Sequence, residues 1–292
     1  MRVLVYVQHY TDTLRGGAEV MLEEVVEYLR SCGDEVTVIS GGTPRDAIEE
    51  TGRVKYDVIL SQMGYTSGAR SIARIRGLKF VQIMHNNRYD SIEQVKNGAD
   101  LTVFNAEWLR SDMGGSGPVL HPVVRREKHA TTPGDCITLV NLIPEKGAVL
   151  FYQLAALRPD LKFMGVMGGY GRQLSNVPGV ELVGNTPFMK EEVWSKTRVL
   201  LMPSTYESYG MAAVEAMCSG IPVIATDTPG LREATDGAAM LMDTRCPHNW
   251  TAALDSVLGN WDTWSERSLS RAARLNTDAE LAEVRKCILS VL

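Results

Sequence analysis

Residues 199–217 read VLLMPSTYESYGMAAVEAM, and this stretch decides the fold. Its first four residues are apolar and predict a buried strand that stops at Pro203. A polar loop follows, and small and apolar residues then predict a helix that begins near Gly210. A buried strand that leads through a loop into a helix is the repeating unit of an α/β sheet. The free N–H groups at the start of such a helix predict an anion site.

The same alternation of apolar runs and helical patterns extends along the chain. The predicted strands are residues 3–7, 35–40, 58–60, 80–84 and 101–104, and then 137–140, 162–166, 180–183, 199–202 and 222–225. Continuous apolar strands separated by helices predict parallel sheets that are covered on both faces. The fold class is therefore α/β, with two doubly wound Rossmann-like domains and a ligand site expected in the cleft between them.

The boundary between the domains is predicted near residue 121. A break at residues 114–118, GGSGP, and the charged residues 125–128 together predict a linker. The first domain is therefore assigned to residues 1–121 and the second to residues 122–292. The chain has a helical pattern from Trp250 onward, and the last helix is expected to pack back on the first domain.

Composition restricts the class of protein. The 292 residues include 45% hydrophobic and 22% charged residues, with a net charge of −5, which is typical of a folded soluble protein and argues against a chain that coats nucleic acid. Five scattered cysteines lack metal-ligand spacing, so free thiols in a reducing cytoplasm are expected. No apolar run approaches the roughly 20 residues that span a bilayer. We expect a cytoplasmic protein with at most peripheral membrane contact.

Two acidic residues flank the predicted start of the helix. Glu207 precedes the helix. Glu215 lies about one and a half turns inside it, which is about 7 Å along the axis from the helix start. A nucleotide sugar presents hydroxyl groups at both ends of its diphosphate, and carboxylates accept strong hydrogen bonds from such groups. This spacing suits a nucleotide sugar laid across the start of the helix.

These residues resemble the signature of the retaining glycosyltransferase family 4, whose members have the GT-B fold. The likeness runs from Glu207 through Glu215 and residues 216–233, and with weaker motifs it spans residues 1 to about 245. Pro144-Glu145-Lys146-Gly147 is similar to the segment that carries the family's phosphate-binding lysine. Gly16-Gly17 is similar to its N-terminal glycine loop, and His85 follows a strand where the family often has a histidine near the donor sugar.

The resemblance implies a metal-independent, retaining hexosyltransferase. Its co-substrate would be a nucleotide diphosphate-sugar of the UDP-glucose type, with no separate cofactor. Glu207 would hold the transferred sugar, Glu215 the ribose, and Lys146 would offset charge on the leaving diphosphate, with His85 as a further catalytic residue. The implied donor-binding residues are Gly16, Gly17, Asn141, Arg172, Thr186, Pro187, Ser208, Tyr209, Gly210, Met211 and Glu215. The sequence contains no Asp-x-Asp motif that would supply metal ligands.

One position departs from the family pattern. The family usually has an arginine five residues before its lysine, and this chain has Asn141 there. The diphosphate would then lose one of two expected cations. Arg172 and Arg15 are the candidates for the missing charge.

The acceptor is left open by the sequence. A cell-envelope lipid or glycan, a small metabolite and a modified nucleic-acid base are the alternatives. A basic cluster in the N-terminal domain is by default a solvated helix face, and the alternative is a surface that contacts an anionic group of the acceptor. This basic cluster comprises Arg70, Arg74, Arg76 and Lys79.

Other functions remain on the same two-domain scaffold. A nucleotide-sugar epimerase or hydrolase would need its own acid and base, and no clear second pair of carboxylates is visible. A non-catalytic nucleotide-sugar binder gains some support from Asn141. A dinucleotide oxidoreductase is disfavoured because no Gly-x-Gly-x-x-Gly follows the first strand.

Overall fold

The computed structural model describes residues 1–87, 98–175 and 178–292. These residues form two compact units: the N-terminal unit, residues 1–123 with 276–292, and the C-terminal unit, residues 124–275. The last segment of the chain thus belongs to the N-terminal unit. Among the described residues, no helix combines the length and the apolar character needed to cross a membrane.

Each unit contains one parallel sheet. The N-terminal sheet has the order β2-β1-β3-β4-β5, and the C-terminal sheet has the order β11-β10-β9-β6-β7-β8. The strands are β1 (Arg2–Val7), β2 (Glu35–Ser40), β3 (Val58–Gln62), β4 (Lys79–Met84), β5 (Leu101–Phe104), β6 (Cys136–Val140), β7 (Lys162–Val166), β8 (Val180–Val183), β9 (Thr197–Met202), β10 (Val223–Thr226) and β11 (Met240–Met242).

Helices separate most of these strands. In chain order they are α1 (Gly17–Ser31), α2 (Pro44–Arg53), α3 (Thr66–Arg76), α4 (Glu107–Asp112), α5 (Arg126–His129), α6 (Ala148–Leu157), α7 (Met189–Glu192), α8 (Met211–Met217), α9 (Pro229–Thr235), α10 (Pro247–Gly259), α11 (Trp261–Ala273) and α12 (Thr277–Val291). Because strands and helices alternate and all paired strands are parallel, both sheets are doubly wound.

The interior strand β1 explains why the N-terminal sheet is covered on both faces. Val3 and Val5 are buried in one cluster with α1 and α12, whereas Leu4 and Tyr6 are buried in another with α2 and α3. Side chains of a strand alternate between the two faces, so an apolar strand buries both. Each buried side chain of this size contributes about 1.5–3 kcal/mol.

The core of the C-terminal unit is likewise formed between its sheet and the helices that cover it. Leu139 of β6, Val199 of β9 and Ile224 of β10 are buried together with residues of α6 and α10. Trp250 of α10 is fully buried, and its indole N–H donates to the carbonyl oxygen of Thr244 at 2.7 Å. The helical tail predicted from Trp250 therefore contributes its first helix to this core.

Strand β11 escaped the sequence prediction. It has three residues, Met240–Met242, and all three are only partly buried. Its pairing with β10 gives it strand geometry, but a run this short carries no periodicity. The predicted strands 35–40, 101–104, 162–166 and 180–183 have the bounds observed for β2, β5, β7 and β8.

Residues 114–118, which belong to the predicted linker, are packed against β5. A Cβ atom on Gly115 would lie 2.1 Å from the Phe104 ring, and one on Gly117 would lie 1.7 Å from the Thr102 carbonyl oxygen. Phe104 N donates to Pro118 O at 3.0 Å. The glycines therefore permit close packing against β5.

Candidate functional site

The candidate site of the C-terminal unit lies at the carboxyl ends of two neighbouring strands. β6 leads into the 3-10 turn Pro144–Lys146, and β9 leads into the loop 203–210. Because β6 and β9 are parallel neighbours, both loops leave the same edge of the sheet. Thr205 N donates to Glu145 O at 2.8 Å and joins the two loops.

Lys146 and Glu207 form an ion pair between these loops. Lys146 Nζ lies 2.7 Å from Glu207 Oε1, and Ser204 Oγ donates to the same oxygen at 2.9 Å. The Glu207 side chain retains 11% of its exposed surface and that of Lys146 retains 27%, so the pair is only partly screened by solvent. The structure therefore brings together two residues that the sequence assigned to the same site.

Two glycines allow the backbone to approach this ion pair. Gly147 has a φ of +88°, and a Cβ atom there would lie 2.4 Å from the Pro203 side chain. A Cβ atom on Gly230 would lie 2.2 Å from the carbonyl oxygen of Glu207. Larger residues at either position would displace the loop that carries Glu207.

Glu215 is buried in α8, and a histidine lies beside it. Its carboxylate Oε2 is 4.0 Å from His129 Nδ1, and the residue is 5% exposed. Ser219 fixes the segment that carries this histidine: its hydroxyl donates to His129 O at 2.8 Å and accepts from Thr131 N at 3.0 Å. The site thus includes a histidine that the sequence prediction did not assign to it.

Gly210 and Tyr209 form the end of the loop before α8. Gly210 is the N-cap residue, with a φ of +110° that favours glycine. Tyr209 is buried, and its hydroxyl accepts a hydrogen bond from the Arg271 guanidinium at 3.1 Å. Arg271 also donates to Ala234 O at 2.8 Å, so α11 supports this end of the loop. The predicted donor residues Ser208 and Met211 flank the same turn.

Asn141 takes part in a hydrogen-bond network within its own unit. Its φ is +72°, a left-handed conformation that asparagine tolerates better than most residues. Its Oδ1 accepts from Gln173 Nε2 at 3.1 Å, while Gln173 Oε1 accepts from Leu142 N and Gly168 N. The asparagine therefore ties the end of β6 to the loop after β7, and its role in donor binding stays a prediction.

The two candidate replacement cations lie in different surroundings. Arg172 is exposed and lines an open groove of about 760 Å³ beside α6, together with Val149 and Tyr152. Arg15, in the N-terminal unit, has its NH1 3.6 Å from Glu23 Oε2. The service of either arginine as the missing cation remains a prediction.

The predicted donor-binding residues Thr186 and Pro187 lie between β8 and α7, where the family resemblance implies contact with the nucleobase. Thr186 Oγ1 accepts a hydrogen bond from Phe188 N at 3.0 Å. The Phe188 side chain is 60% exposed, and Pro187 is exposed beside it. An exposed aromatic ring at the edge of a sheet is available for stacking, which leaves the predicted role open to test.

In the N-terminal unit, the predicted glycine loop forms the start of α1. Gly16 is the N-cap residue with a φ of −117°, and Gly17 is the first helical residue. Neither has the left-handed backbone that requires glycine.

His85 follows β4 in the same unit, and its ring is held by a glutamine. His85 Nε2 lies 2.8 Å from Gln62 Oε1, at the end of the neighbouring strand β3. Burial lowers the pKa of His85 to about 4, so the ring is neutral at physiological pH.

The basic cluster is partly engaged by other groups. Arg76 donates to Ile48 O at 2.8 Å, and Lys79 Nζ pairs with Asp100 Oδ1 at 3.0 Å. Arg74 is exposed. Arg76 and Lys79 therefore already have partners, which weakens the case for an anion-binding surface there.

Sequence reasoning missed the residues that support the site. Most of their contacts join residues that are distant in sequence, as in the contact between Ser219 and His129, which are 90 residues apart. The missed residues are Gln62, His129, Gln173, Ser204, Ser219 and Arg271.

Comparison with known families agrees with the motifs of the C-terminal unit. Residues 139–260 match the model of the family described as Glycosyl transferases group 1. This segment contains Lys146, Glu207 and Glu215, and the match confirms the resemblance read from the sequence.

Curated relatives match parts of the chain. The D-inositol 3-phosphate glycosyltransferase of Corynebacterium jeikeium (strain K411) is 33% identical over 120 residues, which are 39% of this chain and 27% of the relative. The protein of the same name from Arthrobacter sp. (strain FB24) is 27% identical over 212 residues, 66% of this chain and 47% of the relative. The matches thus span between about a quarter and a half of these relatives' length.

Solved structures match almost the whole chain. HepE of Anabaena, solved in complex with UDP-glucose, superposes with a TM-score of 0.82 at 15% identity and covers 99% of this chain and 100% of its own. Sucrose-phosphate synthase from Thermosynechococcus elongatus superposes with a TM-score of 0.78 at 15% identity, covering 99% and 98%. At this identity the likeness concerns the fold alone, and it confirms the predicted GT-B class of α/β protein.

Proposed function

From the membership of residues 139–260 in the group 1 glycosyl transferases, we propose that this protein is a retaining, metal-independent glycosyltransferase. It transfers a hexose from a nucleotide diphosphate-sugar to an acceptor hydroxyl. The donor is of the UDP-glucose type, and no cofactor takes part.

One observation carries the proposal: the ion pair of Lys146 and Glu207 at the carboxyl edge of the C-terminal sheet. In doubly wound sheets this edge is where ligands bind. An ammonium group has three protons, so Lys146 can hold Glu207 and still donate to a phosphate oxygen. The pair therefore offers a cation for the diphosphate and an acceptor for sugar hydroxyls within one contact.

The remaining roles follow from position. Glu215, buried in α8, accepts hydrogen bonds from the ribose hydroxyls. The first N–H groups after Gly210 lack acceptors inside the helix and face the diphosphate. Charge that develops on the leaving diphosphate is stabilised by Lys146, and the leaving phosphate takes the acceptor proton, as the family resemblance implies.

The donor type rests on the structural relative that was solved with UDP-glucose. The acceptor has less support. The curated relatives are D-inositol 3-phosphate glycosyltransferases by name, which favours including phosphorylated polyols among the small metabolites tested. A cell-envelope lipid or glycan and a modified nucleic-acid base stay in the panel.

The experiment has two stages. Thermal unfolding with UDP, GDP and their sugars identifies the donor, because a ligand at about 100 times its Kd stabilises the folded state by about 2.7 kcal/mol. Turnover with that donor and the acceptor panel is then followed by NMR, with and without EDTA. Retained anomeric configuration and unchanged rates in EDTA are expected. Inversion, or a rate abolished by EDTA and restored by a metal ion, contradicts the proposal.

Two variants test the site directly. Glu215→Ala is expected to remove most nucleotide affinity, whereas Glu207→Ala is expected to reduce turnover with a smaller loss of UDP binding. Glu145→Ala, on the exposed side of the same 3-10 turn, is the control. If both site variants bind and react like the wild type, the assignment is wrong. Epimerised or hydrolysed donor without transfer supports the alternative enzyme class, and binding without turnover supports a non-catalytic binder.

A further inference from the structure

Gln62 links two segments of the N-terminal unit that the sequence assigned to the donor site. It is the last residue of β3, is 3% exposed, and pairs in register with Ile83 of β4. Its side chain reaches the backbone of α1 in one direction and the ring of His85 in the other. The orientation of this buried amide determines which nitrogen of His85 carries the proton.

The orientation of this amide follows from its partners. Gln62 Nε2 donates to the carbonyl oxygen of Ala18 at 3.4 Å, and a carbonyl oxygen can only accept. The amide oxygen therefore faces His85, whose Nε2 lies 2.8 Å away. Because an amide oxygen can only accept, His85 Nε2 must carry the proton.

The other ring nitrogen is then an acceptor. In a neutral imidazole with its proton on Nε2, Nδ1 has a lone pair. Within the part of the chain that the structure describes, His85 Nδ1 makes no hydrogen bond, and the atom is not completely buried. The backbone of His85 is held separately, by a hydrogen bond from Asn105 Nδ2 to His85 O at 3.4 Å.

We propose that Gln62 is a positioning residue that holds His85 as the Nε2–H tautomer, so that Nδ1 accepts a hydrogen bond from a hydroxyl group of the sugar substrate. The tautomer follows from the structure alone, while the sugar contact rests on the proposed function. A protonated His85 would instead present a donor at both nitrogens and lose this acceptor.

The surroundings of the ring keep it neutral. Its hydrogen-bond partner Gln62, on β3, is uncharged, and Gln62 in turn contacts the uncharged Ala18 O of α1. Asn105, the residue after β5, is also uncharged and donates to the backbone oxygen of His85. Burial lowers the pKa of His85 to about 4, and no charged side chain adds to this shift. The acceptor at Nδ1 is therefore present at every pH above about 5.

The first experiment reads the tautomer without any activity assay. Long-range 1H–15N NMR of the full chain labelled at histidine nitrogens resolves Nδ1 from Nε2, and His85→Gln assigns the signal. The wild type is expected to carry the proton on Nε2. Gln62→Glu places a carboxylate beside the ring and is expected to raise the pKa of His85 by more than one unit. A wild-type proton on Nδ1, or an unchanged pKa in Gln62→Glu, overturns the proposal.

The second experiment measures turnover against pH. Gln62→Glu is expected to acquire an acid limb that the wild type lacks, with activity returning as the pH rises above the new pKa. Gln62→Met is expected to lose about tenfold in turnover at all pH values, since the ring loses its anchoring hydrogen bond. The control is Gln82→Met, which removes a buried amide that donates to Thr102 Oγ1 on β5.

The two experiments distinguish a failure of the Gln62 proposal from a failure of the proposed function. If Gln62→Glu does not fold, Gln62→Met and the wild-type spectrum still decide the tautomer. If the wild type transfers no sugar, the proposed function fails while the NMR arm still tests Gln62. If transfer occurs and Gln62→Met has the turnover and pH profile of Gln82→Met, the sugar contact is refuted.

Discussion

At the scale of single residues, the ion pair of Lys146 and Glu207 prepares the candidate site for an anion. Glu207 and Ser204 hold their positions before any ligand arrives, since Ser204 Oγ donates to the carboxylate at 2.9 Å. A lysine held at 2.7 Å from a fixed carboxylate has less side-chain freedom to lose on binding. The lysine is therefore preorganised for the role proposed for it, that of the cation that meets the diphosphate.

Replacing this lysine separates charge from packing. Lys146→Met keeps the apolar stem and is expected to reduce turnover at saturating donor by about 100-fold, the effect of losing one preorganised charge-stabilising group. Lys162→Met is the control, because Lys162 is an exposed lysine of the same unit at the start of β7. Initial rates of both variants at saturating donor test this prediction. A Lys146→Met protein with half the wild-type turnover contradicts the role.

Gly230 controls the position of Glu207 through the backbone. In Gly230→Ala the new Cβ would meet the Glu207 carbonyl oxygen at 2.2 Å and the Ser208 carbonyl carbon at 2.7 Å, so the loop must move. We expect a loss of about 1–3 kcal/mol in the free energy of unfolding, together with lower turnover. Gly259→Ala, with nothing within 4 Å of its Cβ, is the matched control. Denaturant titrations that give equal stabilities for both variants would refute the clash.

At the scale of elements, local sequence predicted strands well where they are long enough to carry a pattern, including the partly exposed β2. β2 and β7 had the expected bounds, while β11 was invisible because three partly buried residues have no period. The same applies to α1: the acidic residues Glu23 and Glu24 lie opposite its apolar face in the helical pattern, which predicts a solvent face, yet Glu24 is 6% exposed. Periodicity describes an average face of a helix, whereas tertiary contacts decide which polar side chain is covered.

The last helix, α12, gives a prediction about stability. Arg285 Nε donates to Asp34 Oδ2 at 2.8 Å, and the Asp34 side chain is 1% exposed. Arg285→Ala is expected to lower the free energy of unfolding, because it leaves a buried carboxylate with fewer partners. Lys286→Ala, at an exposed position one residue further along, is the control. Equal unfolding midpoints for the two variants would contradict the expected cost.

The pH dependence of this difference has a definite sign. Burial raises the pKa of Asp34, but hydrogen bonds from Arg285 and the terminal ammonium group outweigh burial and hold it below 3.8. A lowered pKa stabilises the folded state above the unfolded-state pKa and loses this contribution as the pH falls through the folded-state value. The stability gap between wild type and Arg285→Ala should therefore be full at pH 6 to 7 and shrink below about pH 4. A gap that widens in acid refutes this linkage.

At the scale of the whole molecule, the sequence predicted the class of fold but left the order of strands open. Alternating strands and helices imply doubly wound sheets, yet β1 could be placed beside β2 and β3 only from the structure. The candidate site divides in the same way. A motif predicted Glu207, Glu215 and Lys146, whereas His129 beside Glu215 depends on how Ser219 anchors a segment 90 residues away. Local patterns carry no information about such contacts.

The division into two units leads to a prediction about where a nucleotide acts. The segment matched by the family model lies in the C-terminal unit, so UDP is expected to slow amide hydrogen exchange most strongly at residues 144–147 and 203–216. Bound ligand stabilises the closed state of those amides by mass action, by about 2.7 kcal/mol at 100 times the Kd. Glu215→Ala should abolish this protection at the same UDP concentration, while Glu145→Ala retains it. Mass spectrometry of peptides with and without UDP gives the map, and protection confined to β1, β2 and β3 of the N-terminal unit would reverse the assignment of the donor site.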